Sequence, residues 1–184
     1  MRSSFPILML YLRVTARISA MLLAAAFAAP GLSQLWPAAF TAWMAARRGR
    51  LILLFALSHT LHLGGIVTLA ALAPAHFLSK AALAGLIGGA LGYVLIYYLA
   101  WRAFVQQRNA ELRDSELRPP KLETFTLYLV WAIFTLVFTA GILRNALIYA
   151  PLAAVMWLAL VVRICAKLAP AASSQSSAAR TVRS

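Results

Sequence analysis

The chain has 184 residues, of which 63% are hydrophobic, and its mean hydropathy is +0.83. Ordinary soluble domains are about 45–50% apolar, and a soluble protein of this size could not bury so much apolar surface. The composition therefore indicates an integral membrane protein. The excess of 17 Lys and Arg over 4 Asp and Glu would suggest nucleic-acid binding in a soluble domain. In a membrane protein, such residues flank the spans and meet anionic lipid, so no nucleic-acid partner is expected.

Five apolar stretches reach the length of about 20 residues that a helix needs to cross the bilayer core. In chain order they cover residues 5–29, 51–74, 81–101, 124–143 and 146–168. We expect Pro30 and Gly31 to end the first helix, and Pro74 to end or bend the second. The predicted fold class is all-α, a polytopic membrane helical bundle of about five transmembrane helices over residues 1–169. Residues 170–184, PAASSQSSAARTVRS, are small, polar and basic and are predicted to form a disordered tail.

The basic residues outside the spans are divided unevenly between the two sides of the membrane. Alternate loops, together with Arg163 and Lys167 at the end of the last stretch, carry 12 basic residues on one side, against 3, Arg2, Lys80 and Arg144, on the other. The positive-inside rule then predicts an outer N-terminus and a cytoplasmic C-terminus. A competing interpretation takes the first stretch as a signal peptide with a cleavage site at AFAAP, which would leave four spans.

Arg13 and Arg17 lie four residues apart inside the first stretch and therefore share one face of that helix. Their long stems allow both guanidinium groups to reach the headgroups. The alternative is an anionic partner inside the bundle, such as a lipid phosphate or a cofactor carboxylate.

The third span contains the glycine-rich segment GLIGGALGY. Gly85 and Gly89 form one small-xxx-small pair, and Gly88 and Gly92 form a second. Because glycine lets helix backbones approach closely, this stripe is predicted to face another helix, with the histidine-bearing second span as the proposed neighbour. The alternative is that the glycines clear room for a flat ligand.

Two histidines, His59 and His62, lie on one face of the second span in the segment LFALSHTLHL. They follow Leu51 by 8 and 11 residues, which places them roughly 12 to 17 Å below the cytoplasmic edge. Ionisable residues at this depth indicate a functional site. The alternative is a neutral imidazole that is hydrogen-bonded to a neighbouring hydroxyl, with Ser58 and Thr60 close in sequence.

Haem is the cofactor that best suits a neutral imidazole in this setting. Zinc is disfavoured because a His-x-x-His pair supplies only two ligands, and a proton relay would require a carboxylate at depth. His59 and His62 project to the same side, so they cannot bind opposite faces of one porphyrin. His76 lies 14 residues beyond His62, about 21 Å of helical rise. A haem would therefore need a ligand from another helix or another chain.

Three segments of the chain resemble the ferric reductase-like transmembrane family: RVTARISAMLLAAAFAAPGLSQLW, RRGRLILLFALSHTLHLGGIV and KLETFTLYLVWAIF. The resemblance covers roughly residues 11–165. It implies a b-type haem held by histidines of an early and a later helix. His62 would be the early ligand, His76 has the family's long spacing from it, and His59 would be an alternative ligand or a hydrogen-bonding partner. The chain departs from the family before the fourth span, where relatives often have Leu-His and this sequence has Leu122 and Glu123.

The resemblance thus implies a haem b electron-transfer subunit of the bacterial inner membrane. Its electrons would come from quinol or from a periplasmic or cytoplasmic partner. No loop is long enough for a flavin or nicotinamide domain, so whether the chain is itself an enzyme stays open. The competing hypothesis is a non-catalytic helical membrane protein of the same scaffold, which has lost haem and acts through partners or small-solute passage.

Overall fold

The computed structural model describes residues 4–75, 77, 83–110 and 121–169. No strand occurs in these ranges, which form six helices of eight residues or more. They are α1 (Ser4–Leu35), α2 (Ala39–Ala46), α3 (Arg48–Leu72), α4 (Leu83–Ala110), α5 (Lys121–Ile142) and α6 (Ala146–Leu168). All except α2 are long and apolar enough to cross a membrane. The predicted all-α bundle with five spans is therefore confirmed, whereas the tail at 170–184 lies outside the described residues.

The first helix does not end where the sequence predicted. It continues through Pro30 to Leu35, because its last turns are held by packing against α6. A Cβ placed on Gly31 would lie 3.1 Å from the Val162 side chain, and the side-chain amide of Gln34 donates to the carbonyl oxygen of Ala166 at 2.7 Å. Tertiary contacts therefore outweigh the hydrogen bond that proline cannot donate.

The other predicted ends agree more closely with the structure. Helix α3 stops at Leu72, just before Pro74, and α6 has the predicted bounds. Helix α4 runs nine residues beyond the predicted end at Trp101, to Ala110. These last residues include two arginines, two glutamines and an asparagine, as expected where a helix leaves the hydrocarbon.

A short helix that the sequence analysis missed, α2, joins the first two spans. Three exposed aromatic side chains, Trp36, Phe40 and Trp43, lie in and just before it. The rings of Phe40 and Trp43 have centroids 6.0 Å apart, and the guanidinium carbon of Arg47 lies 4.9 Å from the Trp43 ring centroid. Exposed aromatic rings beside arginine are typical of the membrane–water interface, so α2 marks that depth at one end of the bundle.

Helix α1 is central to the bundle because it packs against α3, α5 and α6. Contacts of Thr15 with His62 and of Ser19 with Ser58 show that α1 and α3 run antiparallel. The core is centred on Phe27, whose ring stacks on Trp131 at 5.3 Å. Trp131 in turn donates its indole N–H to the carbonyl oxygen of Met156 at 3.0 Å, which ties α5 to α6.

Helices α1, α3 and α4 pack closely over only part of their length. We call residues 19–29, 52–56 and 96–103 of these helices the packed segment, because most of its side chains that face the bundle are fully buried. We call residues 5–12, 61–72 and 86–92 of the same helices the open segment. Among these, only Gly65 and Gly92 are buried.

The glycine stripe of α4 lies in the open segment, and the prediction that it packs against another helix is wrong for the described positions. A Cβ placed on Gly88, Gly89 or Gly92 would meet no atom within 4 Å. Helix α4 instead contacts α3 further along, through Tyr93 and Tyr97. The contact between the two helices is therefore made by large side chains and not at the described glycines.

Candidate functional site

The imidazole of His62 is held by a residue of α1. Its Nδ1 atom lies 2.9 Å from the hydroxyl oxygen of Thr15, which is buried between α1 and α3. The Thr15 hydroxyl donates its single hydrogen back to the carbonyl oxygens of Tyr11 and Leu12, at 2.9 and 3.2 Å. In the tautomer that carries the proton on Nδ1, the Thr15 oxygen accepts that proton, and Nε2 then has a lone pair available to a metal.

The neighbouring His59 is held by packing between aromatic rings of three helices. Its ring centroid lies 5.8 Å from that of Phe55, 4.8 Å from Tyr93 and 5.1 Å from Phe134. The Nδ1 atom of His59 is buried and has no hydrogen-bond partner among the described residues. The Tyr93 hydroxyl donates to the carbonyl oxygen of His59 at 3.4 Å, which anchors α4 to α3 at this level.

The two imidazole rings lie side by side. Their centroids are 5.3 Å apart and their planes differ by 25°, so both side chains occupy the same side of α3, as the spacing predicted. Axial ligands of one haem must approach iron from opposite faces of the porphyrin. His59 and His62 therefore cannot serve as a pair, and His76 lies outside the described residues.

A row of hydrogen-bonded hydroxyl groups, which we call the seam, runs between α1 and α3 from His62 towards the packed segment. The hydroxyl oxygens of Ser19 and Ser58 lie 3.0 Å apart, and Ser19 also donates to the carbonyl oxygen of Thr15 at 2.8 Å. Ser58 and His62 on α3 thus face Ser19 and Thr15 on α1, in two pairs one helical turn apart. Hydrogen bonds of this kind stabilise helix pairs in lipid.

The partner of His62 was missed by the sequence analysis, which named Ser58 and Thr60. Thr60 instead contacts the Tyr97 hydroxyl, with 3.1 Å between the two oxygens. A usable signal was present: Thr15 and Ser19 have the same four-residue spacing as Ser58 and His62. Two polar pairs with matched spacing on consecutive spans indicate an antiparallel contact between them.

An apolar cavity of about 500 Å³ lies between α1 and α3 in the open segment. Its lining includes Leu8, Tyr11, Thr68, Leu69 and Leu72. The Tyr11 hydroxyl donates to the carbonyl oxygen of Leu61 at 2.8 Å, and its backbone carbonyl accepts from Thr15. Tyr11 therefore links the cavity to Thr15, whereas neither Thr15 nor His62 is among the residues that line it.

Glu123 stands where relatives in the resembled family often have histidine, and it does not face His62. It is 3% exposed and accepts a hydrogen bond from the Gln106 side-chain amide at 2.6 Å. It precedes Phe134, which contacts His59, by 11 residues of α5, or about 16 Å of helical rise. Glu123 therefore cannot supply a second ligand to an iron at His62.

Arg13 and Arg17 are exposed on the outer surface of α1. Their side chains therefore do not meet an anion inside the bundle, and the second of the two interpretations is wrong. Helix α1 has 32 residues, or about 48 Å against a hydrocarbon core of about 30 Å. This excess length allows the arginines to lie near, or extend towards, one interface.

The described residues contain no group of three or more His, Cys, Asp and Glu side chains that could hold a metal ion. No family model, curated protein or solved structure matches this chain.

Proposed function

We propose that this protein is a membrane electron-transfer subunit that binds one b-type haem through His62. The observation that supports the proposal is the hydrogen bond between Nδ1 of His62 and the Thr15 hydroxyl. Histidines that bind metals almost always donate their other ring N–H to an oxygen, which fixes the tautomer and the orientation of the ring. An imidazole fixed in this way inside a membrane bundle is suited to haem.

The described residues fit one axial ligand and do not fit two. The protein's own contribution would be to hold the proton on Nδ1 through Thr15 and to keep water away with the aromatic rings around His59. Haem would supply a centre that accepts and releases one electron. The second axial position would be open, or filled by a weaker ligand or a second chain, and electrons would come from quinol or a partner protein.

We infer that the C-terminal end of the bundle faces the cytoplasm of a bacterial cell. The asymmetry of basic residues supports this orientation, as does the group of Arg47, Arg48 and Arg50 directly after α2. Reporter fusions at the C-terminus test it: a cytoplasmic reporter should be active there, and activity of a periplasmic reporter would contradict the orientation.

Absorption spectroscopy of protein purified in detergent from haem-supplemented cells tests the haem proposal directly. The parent should show a Soret band and, after addition of dithionite, the α and β bands of b-type haem. His62→Ala should abolish these bands, whereas His59→Phe, which retains an aromatic ring in the stack, should keep them. Thr15→Val retains the shape of the side chain but removes the hydroxyl. It should weaken haem binding by about 10–100-fold, the typical effect of removing a residue that hydrogen-bonds a metal ligand.

The competing candidate is a scaffold protein without haem, and the seam between α1 and α3 favours it. Hydrogen bonds between the hydroxyls of Ser19 and Ser58, and from His62 to Thr15, have a sufficient explanation in helix association. This candidate predicts colourless parent protein, together with a stability loss for His62→Ala. If the parent binds haem and His62→Ala retains it, His62 is not the ligand.

A further inference from the structure

A cluster of cationic side chains surrounds Tyr128 at the end of the bundle near α2. The guanidinium carbon of Arg163 lies 4.8 Å from the Phe27 ring centroid and 5.3 Å from that of Tyr128, and its Nε donates to the carbonyl oxygen of Phe27 at 2.8 Å. The Lys167 ammonium lies 5.2 Å from the Tyr128 ring. These contacts hold two positive charges at the mouth of the bundle.

Arg48, the first residue of α3, adds a third charge whose donors are not satisfied. Its Nε and Nη2 atoms are buried and have no hydrogen-bond partner among the described residues. The charge of Arg163 acts unfavourably on that of Arg48, and the opposite charge of Glu123 acts favourably. Because three cationic side chains face the single carboxylate of Glu123, the cluster keeps an excess of positive charge, and the Arg48 donors stay unused.

Guanidinium donors that are left unpaired in a partly buried site are destabilising, and an anion with several acceptor oxygens removes that penalty. Phosphate matches the fork of a guanidinium group through two parallel hydrogen bonds. Arg48 as a whole is only half-buried. Binding therefore requires the Arg48 side chain to rotate, so that these donors turn towards a ligand at the surface.

Two neighbouring features indicate that the phosphate belongs to a lipid. The exposed rings of Trp36, Phe40 and Trp43 place this end of the bundle at the depth of the headgroups. An apolar groove of about 220 Å³ between α1 and α6, lined by several alanines, reaches Val162, the residue before Arg163. Such a groove offers space for an acyl chain that extends from the level of Arg163 into the hydrocarbon.

We propose that Arg48 and Arg163 bind the phosphate of an anionic phospholipid, one acyl chain of which lies in the groove between α1 and α6. The site is separate from the proposed haem ligand, because Arg48 precedes His62 on α3 by 14 residues, about 21 Å of helical rise. The proposal therefore stands or fails independently of haem.

Native mass spectrometry of the full-length protein tests the proposal. Protein in detergent is titrated with phosphatidylglycerol and, separately, with phosphatidylcholine, which carries no net charge. We expect phosphatidylglycerol to bind the parent preferentially and Arg48→Gln to bind it about fivefold more weakly, as estimated from about 1 kcal/mol for each basic residue near a lipid surface. Arg50→Gln is the matched control. It removes the same charge from an exposed side chain two residues further along α3, and this variant should bind like the parent.

The outcomes separate this site from general attraction of anions. Equal weakening in Arg48→Gln and Arg50→Gln, or no weakening in either, would overturn the proposal. Inorganic phosphate serves as the second probe: if it displaces phosphatidylglycerol at millimolar concentration, the ligand is free phosphate and the lipid assignment is wrong. Arg48→Lys, which keeps the charge but loses the guanidinium fork, should bind with intermediate affinity and provides the test if Arg48→Gln does not accumulate.

Discussion

The packed and open segments consist of the same three helices, α1, α3 and α4, and both are strongly apolar. They differ in the shape of their side chains. In the packed segment, alanines of α1 alternate with Leu23 and Phe27, and these side chains meet Ile52 and Phe55 of α3. In the open segment, α4 presents glycines instead, and large side chains such as Ile87 point away from the bundle with 62% exposure.

This contrast shows what holds a bundle together in lipid. Lipid tails are as apolar as leucine, so apolar character alone does not draw two helices together. Close packing and interhelical hydrogen bonds supply the association instead, and both are concentrated in the packed segment and at the seam from Ser58 to His62. In the open segment, Tyr11 and Leu12 approach α3 closely at Gly65 and Leu61, but most other apolar side chains lack a matching surface, which explains the cavity there.

The largest expected effect is the loss of the central ring in the packed segment. Phe27→Ala removes stacking on Trp131, the edge contact with Tyr128 and the surface beneath Arg163. We expect a loss of about 3 kcal/mol or more in the free energy of unfolding, because the rigid surroundings cannot close the cavity.

The control for this prediction is Ile87→Ala in the open segment, which should change stability by less than about 0.5 kcal/mol because lipid replaces the lost methyl groups. Unfolding of both variants by titration of sodium dodecyl sulfate into mild detergent measures the difference. Similar losses would show that the open segment is packed by something beyond this chain.

Two adjacent glycines of α3, Gly64 and Gly65, test within one helical turn how closely α1 packs against α3. A Cβ on Gly65 would lie 2.7 Å from a Leu12 methyl carbon and 2.8 Å from the Tyr11 ring, whereas a Cβ on Gly64 would meet nothing within 4 Å. Tyr11 is anchored by its hydrogen bond to Leu61, so it cannot move away freely. Gly65→Ala should therefore cost about 1 kcal/mol through overpacking.

Gly64→Ala is the matched control, since the same methyl group is added one residue away, and it should leave the melting temperature unchanged or raise it slightly. Thermal melts of the two variants in one detergent make the comparison. If Gly64→Ala is the more damaging of the two, the contact between α1 and α3 at this level has been assigned to the wrong face.

The sequence predicted the class of fold and the five spans because these depend on length and apolar composition, which are local quantities. It did not predict the continuation of α1 through Pro30, because the contacts of Gly31 and Gln34 with α6 decide that turn. The short helix α2 was missed because eight residues between two long apolar stretches have no periodic signal of their own.

The candidate site was predicted in part. The spacing of His59 and His62 correctly placed both rings on one side of α3, because helical geometry alone determines that. Thr15 was missed because its contact joins residues 47 positions apart and depends on the register of two helices. The haem itself stays a prediction, which rests on His62, Thr15 and the family resemblance.

The smallest expected effect concerns the glycine stripe, where the structure reverses the expectation from the sequence. Small-xxx-small spacing predicted close packing against α3, and Gly89→Leu should then have been destabilising. In the structure, Gly89 is exposed and a Cβ there would meet nothing within 4 Å. Gly89→Leu should therefore accumulate normally and melt within about 1 °C of the parent, since surface substitutions usually stay within about 0.5 kcal/mol.

Gly141→Leu is the control that should lose stability, because a Cβ at Gly141 would already lie 2.6 Å from the Tyr149 ring. A clear loss of stability in Gly89→Leu would mean that the stripe packs against a surface from outside this chain, since α3 does not reach it. Repeating the melt across a range of protein concentrations would then identify that surface: only contact with a second copy would make the loss depend on concentration.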